Sequence, residues 1–564
     1  MNGMESSAFR FSRSEKHLNS TLIIIPMVLL FIGIYGGFMQ TLFRAGIVQS
    51  DPFMGGEYYK GLTIHGVLNA IVFTTFFAVA LGNAVIPWSL KMNLNTKLAW
   101  LSGILMLVGS VITALVMVAG EATVLYTFYP PLKAHPLFYI GLVMVVIGSW
   151  VAFFNWIPMY LRWRKENAGQ KTPIAVVGMF TTFIVWFIAT LSVAVEILVF
   201  ILPWSLGLVD EINVMLARTL FWFFGHPLVY FWLLPAYVMY YAFLPKIAGG
   251  RLYSDMAARL VFMLFIVFSV PVGTHHQYMD PAIGSQWKFL HGVFTFAVAF
   301  PSLITAFTIA ASLEYAGRKR GGTGLFGWIK KLPFFEKERW FFSYLIAGLI
   351  IFIFGGISGI VNASYQMNTV VHNTAWIPGH FHLTVAGPVL LAFLGGSLYL
   401  IHQFMGKPVK MRGWTLSVPY IYTIGVFIFS WGMMRGGLIG MPRRTNTGAS
   451  YANPESMLYQ PDWMPFIDIS VVGGSIMFLA IVIYIVAFFA TVFARSEATE
   501  SIVTFPVAAP LHDEPSNWLR NFKPYILIAV VLIILPYTPV ILDVLEATTG
   551  GSLPYSPNSP VPLR

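Results

Sequence analysis

The sequence predicts an all-α polytopic membrane protein of about 13 transmembrane helices, N-terminus inside and C-terminus outside, and three observations carry that prediction. Of its 564 residues, 57% are hydrophobic and 10% charged, at a mean hydropathy of +0.73, a balance that no soluble globule of this size sustains. Apolar runs of at least about 20 residues, enough to cross a bilayer about 30 Å thick, recur along the whole chain. The basic residues are asymmetric. With the N-terminus inside, 25 of the 34 Lys and Arg fall on the inner side and 9 on the outer, as the positive-inside rule requires. The same distribution explains the formal charge of +11 without invoking nucleic acid.

The spans centre near residues 32, 73, 108, 149, 187, 230, 268, 300, 351, 389, 426, 480 and 534. The first follows Arg10, Arg13 and Lys16, outruns a signal h-region and lacks a clear cleavage site, so it is read as retained behind a cytoplasmic segment, 1–18. Tyr129-Pro130-Pro131 and Gly321-Gly322 read as interhelical loops, not domain linkers. One transmembrane domain, 19–546, and an outer tail, 547–564, follow. The chain has no cysteine, which excludes thiolate-held iron-sulfur clusters, a covalently attached c-type haem and a thiolate-bridged copper pair. Any metal must rest mainly on histidine, carboxylate or backbone.

Histidine inside a membrane span is costly unless bound or paired. In Gly379-His380-Phe381-His382, two residues on a helix are roughly 200° of rotation, so the imidazoles leave opposite sides and cannot share a mononuclear site. The bland reading is a pair of hydrogen-bonded core histidines. Depth argues otherwise. His65 comes early in span 2, entered from outside, and His226 lies roughly 16 Å into span 6, also entered from outside. His275 and His276 fall near the outer end of span 7, and His380 and His382 early in span 10. All six converge on the outer half of the membrane. Imidazole suits iron and copper alike, and haem iron takes two axial ligands when low-spin and one when it activates a gas. Six histidines then divide as two, one and three. On span 6, Tyr230, Tyr237 and Tyr241 share a stripe with His226 by helical spacing, either as a proton-conducting column or as well-packed tyrosines with local partners.

Gly225-His226-Pro227-Leu228-Val229-Tyr230, His275-His276 and Trp376-Ile377-Pro378-Gly379-His380-Phe381-His382 together resemble the catalytic subunit of haem-copper terminal oxidases, over about Thr63 to Arg444. Thr219-Leu220-Phe221-Trp222, Glu121-Ala122-Thr123-Val124-Leu125-Tyr126 and the stretch Tyr230 to Tyr241 look most like the B-type branch, which includes ba-type cytochrome c oxidases. The resemblance implies that His65 and His382 are the axial ligands of a low-spin haem b and His380 that of a high-spin A-type haem, while His226, His275 and His276 hold copper (CuB). It implies that Tyr230 is the catalytic tyrosine, joined covalently to the first copper histidine and supplying an electron and a proton when the O–O bond breaks. Tyr237, Tyr241, Ser302, Thr305 and Ser254 match the K-type proton channel. Arg443 and Arg444 are natural partners of haem propionates, though a bare Arg-Arg pair at a boundary is more often a headgroup anchor. His372 matches a histidine near the high-spin propionates.

Absences refine that expectation. A-type oxidases carry a glutamate two residues after the copper histidine, where this chain has Leu228, and the loop with Asn93 and Asn95 offers no aspartate entrance. One K-like channel would then carry chemical and pumped protons alike. Asn368 stands where B-type members carry an aspartate, which puts the proton exit in question. Glu196 is the only acid well inside a span; a paired structural or haem-neighbour role is expected, with proton transfer as the alternative. His17, His135, His291, His402 and His512 are read as structural or surface residues. The implied enzyme is a respiratory cytochrome c oxidase, multi-pass in the inner (plasma) membrane of a prokaryote. It receives electrons from cytochrome c through a subunit II carrying CuA, with room for a small additional membrane subunit. Nitric oxide reductase and a quinol-fed oxidase are the rivals within the superfamily. A histidine-rich transporter is the rival outside it, but no pair of broken half-spans recommends one.

Overall fold

The computed structural model describes residues 9–496, 502–513 and 517–549. Most of the expected segment 1–18 and a few residues of the tail 547–564 therefore fall within view, and Arg564 lies outside the described residues. Twelve helices among the described residues are long and apolar enough to span a membrane. With one shorter helix they are α1 (Arg13–Arg44), α2 (Tyr58–Leu90), α3 (Thr96–Val118), α4 (Pro136–Glu166), α5 (Ile174–Ser205), α6 (Val214–Ala242), α7 (Asp255–Phe268), α8 (Ser285–Lys319), α9 (Lys337–Ala363), α10 (Trp376–Met405), α11 (Arg412–Leu438), α12 (Pro461–Val492) and α13 (Lys523–Thr548).

The expected span near residue 268 corresponds to α7, which has only 14 residues. The apolar run through Pro271 reads as continuous, but a proline has no N–H to donate and its ring crowds the preceding turn. The helix stops at Phe268, and a 3-10 turn, Gly273–Gln277, carries the chain on.

Helix starts follow local chemistry. Ser12 and Glu15 form a reciprocal capping box on α1, and the side chains of Asn95, His135, Asn213 and Ser254 accept from free N–H groups of α3, α4, α6 and α7, satisfying donors that the helix leaves unpaired. Contacts at both ends show alternating helices. Glu15 accepts from Leu94 N–H where α1 begins, and Arg44 donates to Thr445 and Pro442 carbonyls where it ends. We call these the proximal and distal ends. Sequential hairpins pack closely, as at α3–α4, where a Cβ on Gly141 would meet the Gly109 carbonyl oxygen at 2.6 Å; small residues let membrane helices approach in this way.

The last helix does not follow its predecessor in space. From α12 the chain crosses the proximal face. Trp88 Nε1 donates to Val503 O and Ala508 N to Ala242 O, and β2 (Pro510–His512) pairs in parallel with β1 (Leu252–Ser254). This strap delivers α13 to α7, α6 and α8. Three helices also contain π-helical segments, Val67–Phe73 in α2, Glu196–Ile201 in α5 and Val385–Val389 in α10.

Candidate functional site

Two histidine constellations sit in the distal half, and α10 lies between them. In the first, His226 projects from α6 and His275 and His276 from the turn beyond α7. Ring centres are 4.3 Å apart for His226–His275, 4.2 Å for His275–His276 and 5.3 Å for His226–His276. One nitrogen from each lies within 4.8 Å of the others, and His226 Nδ1 is 3.1 Å from His276 Nε2. Three converging imidazoles, two buried and that of His276 half-buried, with no carboxylate among them fit a late first-row transition metal. Outer contacts fix the rings. Thr295 Oγ1 donates to His291 O at 2.7 Å, so at 2.8 Å it must accept from His275 Nδ1–H, which leaves Nε2 for the cluster. Trp222 stacks on His276 at 3.9 Å and 11°. His226 Nε2 is buried without a hydrogen-bond partner, and the Tyr230 ring stands 4.9 Å from that imidazole.

The second constellation is a facing pair. His65 and His382 have ring centres 6.3 Å apart and planes within 9°. Two imidazoles each about 2 Å from one shared metal would set their centres roughly 6 Å apart, so the spacing fits an axial pair. His65 Nδ1 lies 2.9 Å from Gly33 O and His382 Nδ1 2.7 Å from Pro378 O. Each Nδ1–H is thereby committed to a carbonyl, and Nε2 remains. Both rings line one largely apolar cavity, together with Arg443 and Arg444. A metal carried in a flat apolar group with acidic substituents suits those walls and those guanidiniums.

His380 leaves the other side of α10, as the helical angle requires, and its Nδ1 lies 2.9 Å from Ser358 Oγ on α9. Ser358 donates to Gly355 O, so its oxygen accepts from His380. Arg444 takes a positive φ of 57° and lies over the Tyr129 ring at 5.4 Å; Arg443 donates to Asn373 Oδ1 at 2.8 Å. His372 is bound through Nδ1 to Asn368 Oδ1 at 3.1 Å, and Asn368 donates to Asn362 O.

The tyrosine stripe meets partners on α8. Tyr237 Oη donates to Ser302 Oγ at 3.2 Å and Tyr241 Oη to Thr305 Oγ1 at 2.7 Å. Ser254 Oγ accepts from Ala257 N–H, and the residue lines a second cavity with Thr308 and Tyr253. The structure thus brings Ser302 and Thr305 to the tyrosines and sets Ser254 at the proximal end.

One part of one expectation is corrected. Glu196 is fully buried, and among the described residues neither carboxylate oxygen has a hydrogen-bond partner, so no side chain there pairs with it. It opens the π-helical segment of α5, and the apolar sequence around it gave no sign of the missing partner. Sequence reasoning also missed the supporting residues. A Cβ on Gly37 would run into the His65 ring, and one on Gly33 into Asn69; the Gly33, Gly36 and Gly37 cluster in α1 was the available signal. Thr295 and Ser358 gave none, being ordinary hydroxyls in apolar runs. Glu15, a buried carboxylate beside Asn93 and Leu94, was missed as well.

Comparison with known proteins shows the family. The profile of the family described as "Cytochrome C and Quinol oxidase polypeptide I" matches residues 20–476. The cytochrome c oxidase subunit 1 of Thermus thermophilus is 41% identical over 542 residues, 94% of this chain and 95% of that protein. A probable quinol oxidase subunit 1 of Staphylococcus epidermidis is 25% identical over 88% of this chain and 71% of its own length. A solved structure described as a heme-copper terminal oxidase dimer superposes with a TM-score of 0.93 at 49% identity, covering 98% of this chain and 96% of that one. The fold and its histidines define a membrane oxidoreductase subunit. The chain belongs to the family of subunit I of the cytochrome c and quinol oxidases.

Proposed function

We propose that this chain is the catalytic subunit of a B-type respiratory cytochrome c oxidase in a prokaryotic plasma membrane. The observation that carries the reading is the division of the histidines around α10. A trio converges on one point, a facing pair shares one axis, and His380 stands alone on the opposite side of α10 from His382. In this reading His65 and His382 hold a low-spin haem b, His380 a high-spin A-type haem, and His226, His275 and His276 copper. When bound, these groups supply the redox chemistry by which dioxygen, four electrons and four protons become two waters.

The chain's own residues do the rest. The commitment of each Nδ1–H at His65, His275, His380 and His382 presents Nε2 in a fixed tautomer. Tyr230 Oη holds a proton that leaves with an electron as the O–O bond is cleaved, and the orphaned Nε2 of His226 is where the ring joins it. Arg443 and Arg444 bind the carboxylates of the haem edges. Protons enter at the proximal end near Ser254 and pass along Thr305, Tyr241, Ser302 and Tyr237 toward Tyr230, the hydroxyl pairs on α6 and α8 supporting this single K-type route for both chemical and pumped protons. The proximal end faces the cytoplasm by its excess of Lys and Arg.

Electrons come from cytochrome c through a CuA-bearing subunit II, because the chain has no cysteine for such a centre. The 41% relative, named as a cytochrome c oxidase subunit, favours that donor over the quinol named for the 25% one. The test is a dithionite-reduced minus oxidised optical spectrum of the purified protein, with and without carbon monoxide, plus metal analysis. Two haems, one binding carbon monoxide, and one copper on this chain are expected. A colourless protein, or haem with non-haem iron and no copper, would overturn the reading.

A further inference from the structure

Two of the three histidines that converge near α6 do not sit on a helix. They follow the break after Phe268, where four residues lead into the 3-10 turn that carries His275 and His276. A chain break inside an apolar bundle leaves backbone groups that no helix satisfies, and each must find a partner or cost free energy. Here one hydroxyl takes two of them. Tyr537, on α13, accepts from Gly273 N–H at 2.9 Å and donates to Val270 O at 3.1 Å. A phenol has one proton to give and lone pairs to accept, so both contacts are satisfied at once.

The fit at this point is close. A Cβ on Gly273 would strike both the Tyr537 hydroxyl and the Trp222 carbonyl oxygen, so residue 273 must be glycine for the hydroxyl to reach the backbone. Trp222 in turn stacks on His276. The ring of Tyr537 is buried against Val270 and Ile533 and meets His291 edge to face at 4.8 Å and 82°. His291 Nδ1 accepts from Thr274 N–H at 3.4 Å, and its carbonyl accepts from the Thr295 hydroxyl that holds His275. Tyr537 therefore bridges the break from Val270 to Gly273, two residues before His275, and backs the ring that supports the other side of the turn.

We propose that Tyr537 is a positioning residue for the metal-binding pair His275 and His276, and that α13 serves the site as its brace. The family profile ends at residue 476, so this helix lies beyond the matched segment, brought there by the strap across the proximal face. The proposal rests on the reading of the histidine trio as a copper site. Its content is local: the hydroxyl sets the turn, and the turn sets the ligands.

The test compares Tyr537→Phe with the unaltered protein in the fully assembled enzyme. The ring and its packing stay and both hydrogen bonds go, leaving Gly273 N–H unpaired. Copper retained after dialysis against a chelator should fall about 10-fold, the lower end of what loss of outer-sphere support costs a metal site. The infrared stretch of carbon monoxide photolysed onto copper should broaden or shift, while both haem spectra stay as they were. Val540→Ala, which trims buried packing on the same helix without touching the hydroxyl, should leave copper and stretch unchanged. Unchanged copper retention and stretch in Tyr537→Phe would overturn the proposal, as would loss of both haems together with copper, which would mark a general structural role. Should Tyr537→Phe not assemble, Tyr537→Leu, which also removes the hydroxyl while keeping an apolar side chain there, must give the same copper-selective loss. Absence of copper from the unaltered protein would instead overturn the oxidase reading itself.

Discussion

Replacing Gly37 by alanine is a one-carbon test of the facing-histidine site. The new Cβ would fall inside contact distance of His65 Nδ1 and Cε1, so the ring must retreat by roughly 1 Å to restore an ordinary contact. Helix α1 cannot easily move instead, because Glu15 ties its start to Asn93 and Leu94 and Arg44 ties its end to Pro442 and Thr445. The retreat breaks the 2.9 Å contact of His65 Nδ1 with Gly33 O, about 1 kcal/mol for the hydrogen bond alone, and disturbs two rings 6.3 Å apart and within 9° of parallel. Site geometry tolerates about 0.5 Å, and loss of an outer partner typically weakens metal binding about 10- to 100-fold. The low-spin haem signal in a reduced-minus-oxidised spectrum should therefore shrink by at least about 10-fold on mild washing, with copper retained. Gly356→Ala is the control: nothing lies within 4 Å of the point a Cβ would occupy there, so the change should be neutral or stabilise α9 by up to about 1 kcal/mol. A Gly37→Ala protein with an unaltered low-spin spectrum would refute the argument that His65 is an axial ligand held from α1.

Other changes probe the remaining parts. Tyr230→Phe should abolish oxygen reduction while both haems stay bound; normal turnover measured with an oxygen electrode would remove the tyrosine from the mechanism. Tyr237→Phe, which deletes the hydroxyl bound to Ser302, should slow proton uptake from the proximal side, and Tyr241→Phe should do the same through Thr305; an unchanged uptake rate in reconstituted vesicles would count against the column. His382→Ala should lose the low-spin haem spectrum and keep copper, whereas copper loss with that haem retained would show that the two faces of α10 are assigned the wrong way round.

Depth was legible in the sequence and support was not. Apolar run lengths placed His65, His226, His380 and His382 at one level, because rise per residue is fixed once a run must cross a bilayer. The opposite directions of His380 and His382 followed from helical rotation, and the structure puts them against Ser358 and His65 respectively. The seventh span is helical over only part of its length for a definite reason: hydropathy counts Pro271 as one residue in an apolar run, whereas the helix ends three residues before it, at Phe268. Thr295, Gly37 and Tyr537 lie far in sequence from the histidines they support, and no local period points from one to the other. The unpaired state of Glu196 was equally invisible, since a partner for a buried acid comes from another helix.

The π-helical segments explain why face was harder to read than depth. One extra residue in a turn rotates everything beyond it by roughly 100° relative to a continuous helix, so a stripe traced along the sequence changes side there. In α2 the segment Val67–Phe73 follows His65 almost at once, and in α10 Val385–Val389 follows His382. Each histidine-bearing turn is thus separated in register from the rest of its helix. That separation lets the distal part of each helix aim a histidine at the cavity while the proximal part packs by its own demands, as Phe77 and Phe393 do at 4.1 Å. By the same logic the third segment, Glu196–Ile201, sets its register change at a buried carboxyl instead of a histidine. In α5 the change of side therefore falls at a buried acid with no hydrogen-bond partner among the described residues, whereas in α2 and α10 it separates a histidine from the packing below it.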